Sequence, residues 1–190
     1  FDPFGAEQVL AFPMQADLLG ADGLANGSYT SEPVALDDAE VVIIPFQKLE
    51  WAAKECPGLE HVIYRAISRE IVRDQGIQWI LGTLGAEGRV AAFVLGLAER
   101  FGSLGYSRSS FHLRMTRQEI GSYLGLKLET VSRALSAFDG AGWIRVQQKA
   151  IEIADPAPLR ALFEHTPNVG PSGKPGCAKG RTGRTLQLAA

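Results

Sequence analysis

Apolar and polar positions follow two different periods along this chain. In residues 1–47 the apolar runs are short and broken by turn residues. Gln8–Phe12 and Val41–Ile44 predict strands, and Gly20, Gly23, Asn26-Gly27 and Pro33 predict turns between them. That segment is too short and too open for a complete β-domain, because its strand edges would be unpaired. Pro45 ends the second strand, and Phe46–Ala53 predicts a short helix. From Leu59 to Leu81 the period becomes helical. Tyr64, Ile67, Ile71, Asp74 and Gln78 recur at 3-4-3-4 spacing, a heptad-like seam. A second apolar set, Ile63, Ala66, Val72, Ile77, Ile80 and Leu81, is available to pack on the body of the domain. Two readings fit this helix: a dimer helix that uses the seam, or a plain buried helix. Gly82 and Gly85 end it, and Glu87–Phe101 predicts a further amphipathic helix.

Residues 102–153 form a different unit. Phe111–Met115 predicts a strand. Thr116 and Glu119 have the spacing of a capping box, in which each residue's side chain bonds the other's backbone. A helix over Arg117–Leu124 stops at Gly125, and a second runs from Leu128 to Phe138. Trp143–Val146 and Ile151–Ile153 follow as strands around a polar turn. Strand, helix, glycine turn, helix and hairpin in that order describe a winged helix-turn-helix. A short last helix is expected near Arg160–Phe163. The Gly-, Pro- and Lys-rich stretch 166–190 predicts a disordered tail.

Composition narrows the class. Of 190 residues 46% are hydrophobic and 21% charged, which excludes a collagen, a disulfide scaffold and a wholly disordered chain. No apolar run reaches the roughly 20 residues of a membrane span, so no membrane role is expected. Two distant cysteines, Cys56 and Cys177, predict a reducing cytoplasm rather than a disulfide. Phe1 in place of Met predicts a natural N-terminus upstream. The net charge of −2 hides a polarity: residues 1–57 hold ten acidic and two basic side chains, whereas residues 101–150 hold seven basic and three acidic. A basic back half suits a polyanionic partner. Enzyme chemistry finds no support: His61, His112 and His165 lack metal-ligand spacing, and neither a nucleophile elbow nor a phosphate-binding glycine loop is present.

The second helix of the unit divides into two faces. Val131, Leu135 and Phe138 face inward, and Glu129, Ser132, Arg133 and Ser136 face outward. Arg133 matches the O6/N7 edge of guanine, Glu129 the amino group of cytosine, and Ser132 a neighbouring base. The alternative is a solvated face closed by a Glu129–Arg133 ion pair. Thr116, Arg117, Gln118, Lys127 and Ser136 are the expected DNA-backbone contacts, with Arg145 and Lys149 beside the wing.

At MTRQEIGSYLGLKLETVSRAL the chain resembles the Crp/Fnr family of bacterial transcription regulators, and its Fnr branch in particular. Glu129, Ser132 and Arg133 stand in that branch's E-x-x-S-R pattern. EVVIIPF, SREIVRDQ and EGRVAAFVLGLAERF follow in the same order. The resemblance implies an α+β fold. Residues 1–57 would be the C-terminal part of a β-roll sensor domain, a remnant of a cyclic-nucleotide-binding-like roll, and 58–84 a dimerisation helix. Residues 85–165 would be the winged helix-turn-helix, with the tail at 166–190. It also implies a homodimer on double-stranded DNA, reading a TTGAT-N4-ATCAA-like palindrome, with RNA polymerase as a partner. The alternative function is a small-molecule-binding sensor module whose helix-turn-helix does not read DNA.

The chain departs from the family at the sensor. The branch holds a 4Fe–4S cluster on clustered cysteines. Here Val42 stands at the β-roll cysteine position, and neither Cys56 nor Cys177 matches a cluster position, so no cofactor is expected in this chain. Ala21 and Thr30-Ser31 replace the Gly-Glu and Arg-Ser pairs of cyclic-nucleotide binders, which leaves a cyclic phosphate without its arginine. Lys127 stands at the N-cap of the second helix, where it cannot accept the cap bond. Asp74 falls on the seam, so two aspartates facing across a two-fold axis would keep a dimer marginal.

Overall fold

The computed structural model describes residues 8–164. The expected disordered tail, with Cys177, and His165 lie outside those residues. In chain order the elements are α1 (Gly23–Asn26), α2 (Phe46–Glu55), α3 (Leu59–Thr83), α4 (Ala86–Ser103), β1 (Ser110–His112), α5 (Arg117–Leu124), α6 (Leu128–Gly140), β2 (Ile144–Gln147), β3 (Ala150–Ile153) and α7 (Pro156–Glu164).

The C-terminal unit follows the pattern of its apolar residues. The capping box forms as expected: Thr116 Oγ1 accepts the Glu119 N–H at 3.2 Å, and Glu119 accepts the Thr116 N–H at 2.6 Å. Gly125 ends α5 in the left-handed region at φ 62°, a conformation glycine adopts without steric cost. Gly121 is required for a different reason. A Cβ there would stand 2.6 Å from the Leu126 carbonyl oxygen, so only glycine lets the turn close onto α5. Strands β1, β3 and β2 form an antiparallel sheet in that order, with Phe111 opposite Ile151 and Val146 opposite Ile151 on its other side. Strand β1 is shorter than the expected Phe111–Met115: beyond His112 the chain keeps one backbone–backbone tie to the wing, Leu113 N–H to Lys149 O at 2.8 Å. The core lies between α4, α6, the sheet and α7, around Val90, Leu124, Val131, Phe138, Ile144 and Leu159.

Helix α3 is about 37 Å long at 1.5 Å per residue. It passes through Gly82 before ending at Thr83. None of its 25 residues is buried. Ile77 packs at the edge of the core, but Val72, expected on the body-facing side, is exposed. Its end is fixed by one side chain. Arg89 donates from Nη2 to Leu81 O at 2.7 Å, from Nε to Leu84 O at 2.9 Å and from Nη1 to Leu124 O at 3.0 Å. A cation thus holds the carbonyls left over at the ends of both α3 and α5, where the helix dipole favours it.

Residues 8–45 differ from the sequence reading. Neither Gln8–Phe12 nor Val41–Ile44 forms a strand. A strand needs a neighbouring backbone for its N–H and C=O groups, and among the described residues no other strand pairs with either run. Val41–Ile44 are exposed. The first run docks instead on the C-terminal unit. Phe12 is buried there, with its ring centroid 5.9 Å from that of Phe93 and 5.2 Å from that of Tyr123.

Candidate nucleic-acid interface

The outward face of α6 is the exposed edge of a rigid unit. Its inward residues are fixed: Val131 is 0% exposed, Phe138 1% and Leu135 3%, with Ala134 beside them at 4%. On the other side Glu129, Arg133 and Ser136 are exposed and Ser132 is half-buried. Glu129 and Arg133 do not pair: the ion pair that would have quenched this face is absent among the described residues. Arg133 therefore keeps its fork of donors available for a bidentate acceptor. Lys127 makes no side-chain cap bond, as its chemistry requires, and remains exposed before the helix.

One residue of this face escaped the sequence reading. Leu128 opens α6 beside Glu129 and is 43% exposed. The available signal was its place outside the Val131–Leu135–Phe138 stripe. An apolar side chain presented at the first turn of such a helix suits a thymine methyl.

The expected backbone contacts fall into two groups. Gln118, Lys127 and Ser136 are exposed. Thr116 is occupied by its cap, since its hydroxyl accepts the Glu119 N–H and donates to the Glu119 carboxylate at 2.9 Å. Arg117 is half-buried against the wing rather than extended into solvent. It donates from Nη2 to Gln148 O at 3.3 Å, and burial pushes its pKa down. Its Nη1 is buried without a hydrogen-bond partner among the described residues. It lines a groove of about 240 Å³ with Leu113, Met115, Thr116, Gln148 and Lys149. Lys149 is turned back to the Arg114 carbonyl at 3.2 Å, and Arg145 meets Glu152 at 3.5 Å on the exposed wing.

The seam residues stay together on α3. Tyr64, Ile71, Asp74 and Gln78 are exposed and Ile67 is half-buried. No group of three His, Cys, Asp or Glu side chains converges among the described residues, and the cysteine there, Cys56, is exposed. A four-thiolate cluster has no donor set in them. No helix among them is long and apolar enough to cross a membrane.

Comparison with known proteins agrees with this geometry. Residues 88–162 match the family described as "Crp-like helix-turn-helix domain". The chain is 39% identical over 162 residues to the transcriptional regulatory protein btr of Bordetella pertussis, which covers 85% of this chain and 67% of btr. It is 40% identical over 165 residues to the fumarate and nitrate reduction regulatory protein of Salmonella typhimurium, covering 87% of this chain and 66% of that protein. The structure of FixK2 from Bradyrhizobium japonicum matches with a TM-score of 0.57 at 31% identity, over 61% of this chain and 57% of FixK2. The chain spans about two thirds of the length of these curated relatives.

Proposed function

The chain belongs to the Crp/Fnr family of transcription regulators, and from that premise we propose that it acts as a homodimer reading a TTGAT-N4-ATCAA-like palindrome through α6. One observation carries the reading: α6 presents Glu129 and Arg133 unpaired to solvent, with Ser132 half-buried between them, while its opposite face is locked in the core. A solvated helix face gains nothing from leaving an i, i+4 Glu–Arg pair open. A base reader needs both groups free. Arg133 donates two bonds to guanine O6 and N7, Glu129 accepts from the paired cytosine's amino group, and Leu128 covers a thymine methyl. Each bidentate contact is worth about 1–3 kcal/mol of discrimination.

The phosphates on either side are met by the exposed Gln118, Lys127 and Ser136. The homodimer follows from α3. A 25-residue helix with no buried residue, exposing Tyr64 and Ile71, requires a partner for its apolar face. A second copy meets this need through the seam at Tyr64, Ile67, Ile71, Asp74 and Gln78, and a two-fold dimer suits a palindrome. RNA polymerase is the partner, and the cytoplasm the compartment, that this role entails. The described residues hold no cofactor in this reading.

The test is a fluorescence-anisotropy titration of the palindrome and a scrambled duplex at two salt concentrations. The palindrome should bind at least tenfold tighter, and replacing its G·C pairs or making Arg133→Ala should erase the difference. Equal, steeply salt-dependent binding to both duplexes would mean that only the basic surface is at work. No binding to either would favour a sensor module that does not read DNA.

A further inference from the structure

Three separated parts of the chain meet at Asp17. Its Oδ1 accepts from Arg73 Nη2 on α3 at 2.8 Å. Its Oδ2 accepts the Met14 N–H at 2.7 Å and pairs with Arg100 Nη2 on α4. Arg100 sends its other nitrogen, Nη1, to the Phe12 carbonyl at 2.8 Å. Arg73 is held in turn by Glu70, 2.9 Å away on the preceding turn of α3. The Asp17 side chain is 13% exposed, so the cluster is largely shielded from water. Burial pushes the Arg100 pKa down, and the Asp17 charge acts against that. Beside it, Ala16 sits at φ 66°, in the left-handed region. A non-glycine residue stays there only where its surroundings over-determine it. The same segment is fastened at its other end, where the Val9 N–H donates to Ser122 Oγ on α5 at 2.9 Å and Phe12 is buried between Phe93 and Tyr123.

Base reading uses none of these contacts, yet their placement is mechanical. Helices α3 and α4 are two arms joined at Leu84-Gly85. Arg73 lies about 15 Å along one arm from that joint and Arg100 about 21 Å along the other. Arg89 holds the joint itself, and Asp17 ties the arms well away from it. A tie between two arms fixes their angle better than contacts at the vertex. In a dimer held by α3, that angle sets the distance between the two α6 helices.

We propose that residues 9–17 are a strut between the long helix and the DNA-reading unit, pinned by Asp17 between Arg73 and Arg100. A displacement of this segment would then be transmitted to DNA as a change in half-site spacing. The DNA arm of this inference rests on the palindrome reading above; the strut itself does not. The test uses Asp17→Asn in the full chain, with Asp17→Glu as the conservative variant. Amide hydrogen exchange on the free protein reads the strut directly. In Asp17→Asn, exchange over residues 9–17 and 84–89 should rise tenfold or more while that of α6 is unchanged, and Asp17→Glu should restore part of the protection. Unchanged exchange over residues 9–17 would overturn the proposal. On DNA, Asp17→Asn should bind the palindrome at least tenfold more weakly and a single half-site within twofold of wild type. Equal losses on both duplexes, or none on the palindrome, would overturn the spacing role. A wild-type protein with no preference for the palindrome would sink the DNA reading alone, leaving exchange to decide the strut.

Discussion

Gln148 turns the wing at φ 55°, in the left-handed region that an L side chain occupies at a cost of about 1–2 kcal/mol. Its carbonyl accepts from Arg117, and its side chain is exposed. Gln148→Gly should therefore leave the fold intact and stabilise it by about 1 kcal/mol, visible as a raised urea midpoint with an unchanged slope. A lowered midpoint would show that the side chain contributes something its exposure conceals. Gly121 predicts the opposite sign. A methyl group there meets the Leu126 carbonyl at 2.6 Å, and backbone cannot yield as a flexible side chain does. Gly121→Ala should cost about 1–3 kcal/mol and weaken DNA binding as well, because the displaced turn carries Lys127 and the start of α6. The chemistry of both positions could be read from residue types, but the strain could not. Nothing in the sequence places Gln148, rather than its neighbour, in the left-handed region. The burial of Arg117 was hidden in the same way, since a first-turn arginine looks solvent-directed until the wing folds over it.

At the level of elements, the helices of the C-terminal unit were legible because their signals are local. Thr116 and Glu119 cap within one turn, Gly125 ends α5, and Val131, Leu135 and Phe138 mark a face without reference to any other part of the chain. Gln8–Phe12 shows where that logic stops. Its alternation predicts a strand, but a strand is defined by its partner, and Phe12 finds the rings of Phe93 and Tyr123, distant in sequence, instead. The seam of α3 lies between these cases: its spacing is local, while the partner proposed for it is a second molecule. Asp74 is exposed within that seam, where two copies would set like charges against each other across the axis. Asp74→Ala should shift the monomer–dimer equilibrium toward dimer by tenfold or more in sedimentation velocity over a dilution series, the effect weakening at high salt as the repulsion is screened. An unchanged equilibrium would place Asp74 outside the contact.

For the whole molecule, the decisive quantity is the geometry between two α6 helices, which no single element contains. In the proposed dimer it is set jointly by the α3 contact, by Arg89 at the junction and by the segment ending at Asp17. Such a frame has little freedom to swivel. Inserting one base pair into the N4 spacer moves a half-site by roughly 3.4 Å and rotates it by about 35° around the DNA axis. A flexible pair of reading heads would absorb that change, because each could follow its half-site at small cost. A frame tied at both the joint and the arms must bend DNA, strain its own ties or release one half-site. Affinity for N3 and N5 spacers should therefore fall at least tenfold below N4, toward that of a single half-site, measured by anisotropy at constant salt. Equal affinity across the three spacers would mean that the two DNA-reading units move independently of α3, and that the contacts of Arg89 and Asp17 do not hold their angle in solution.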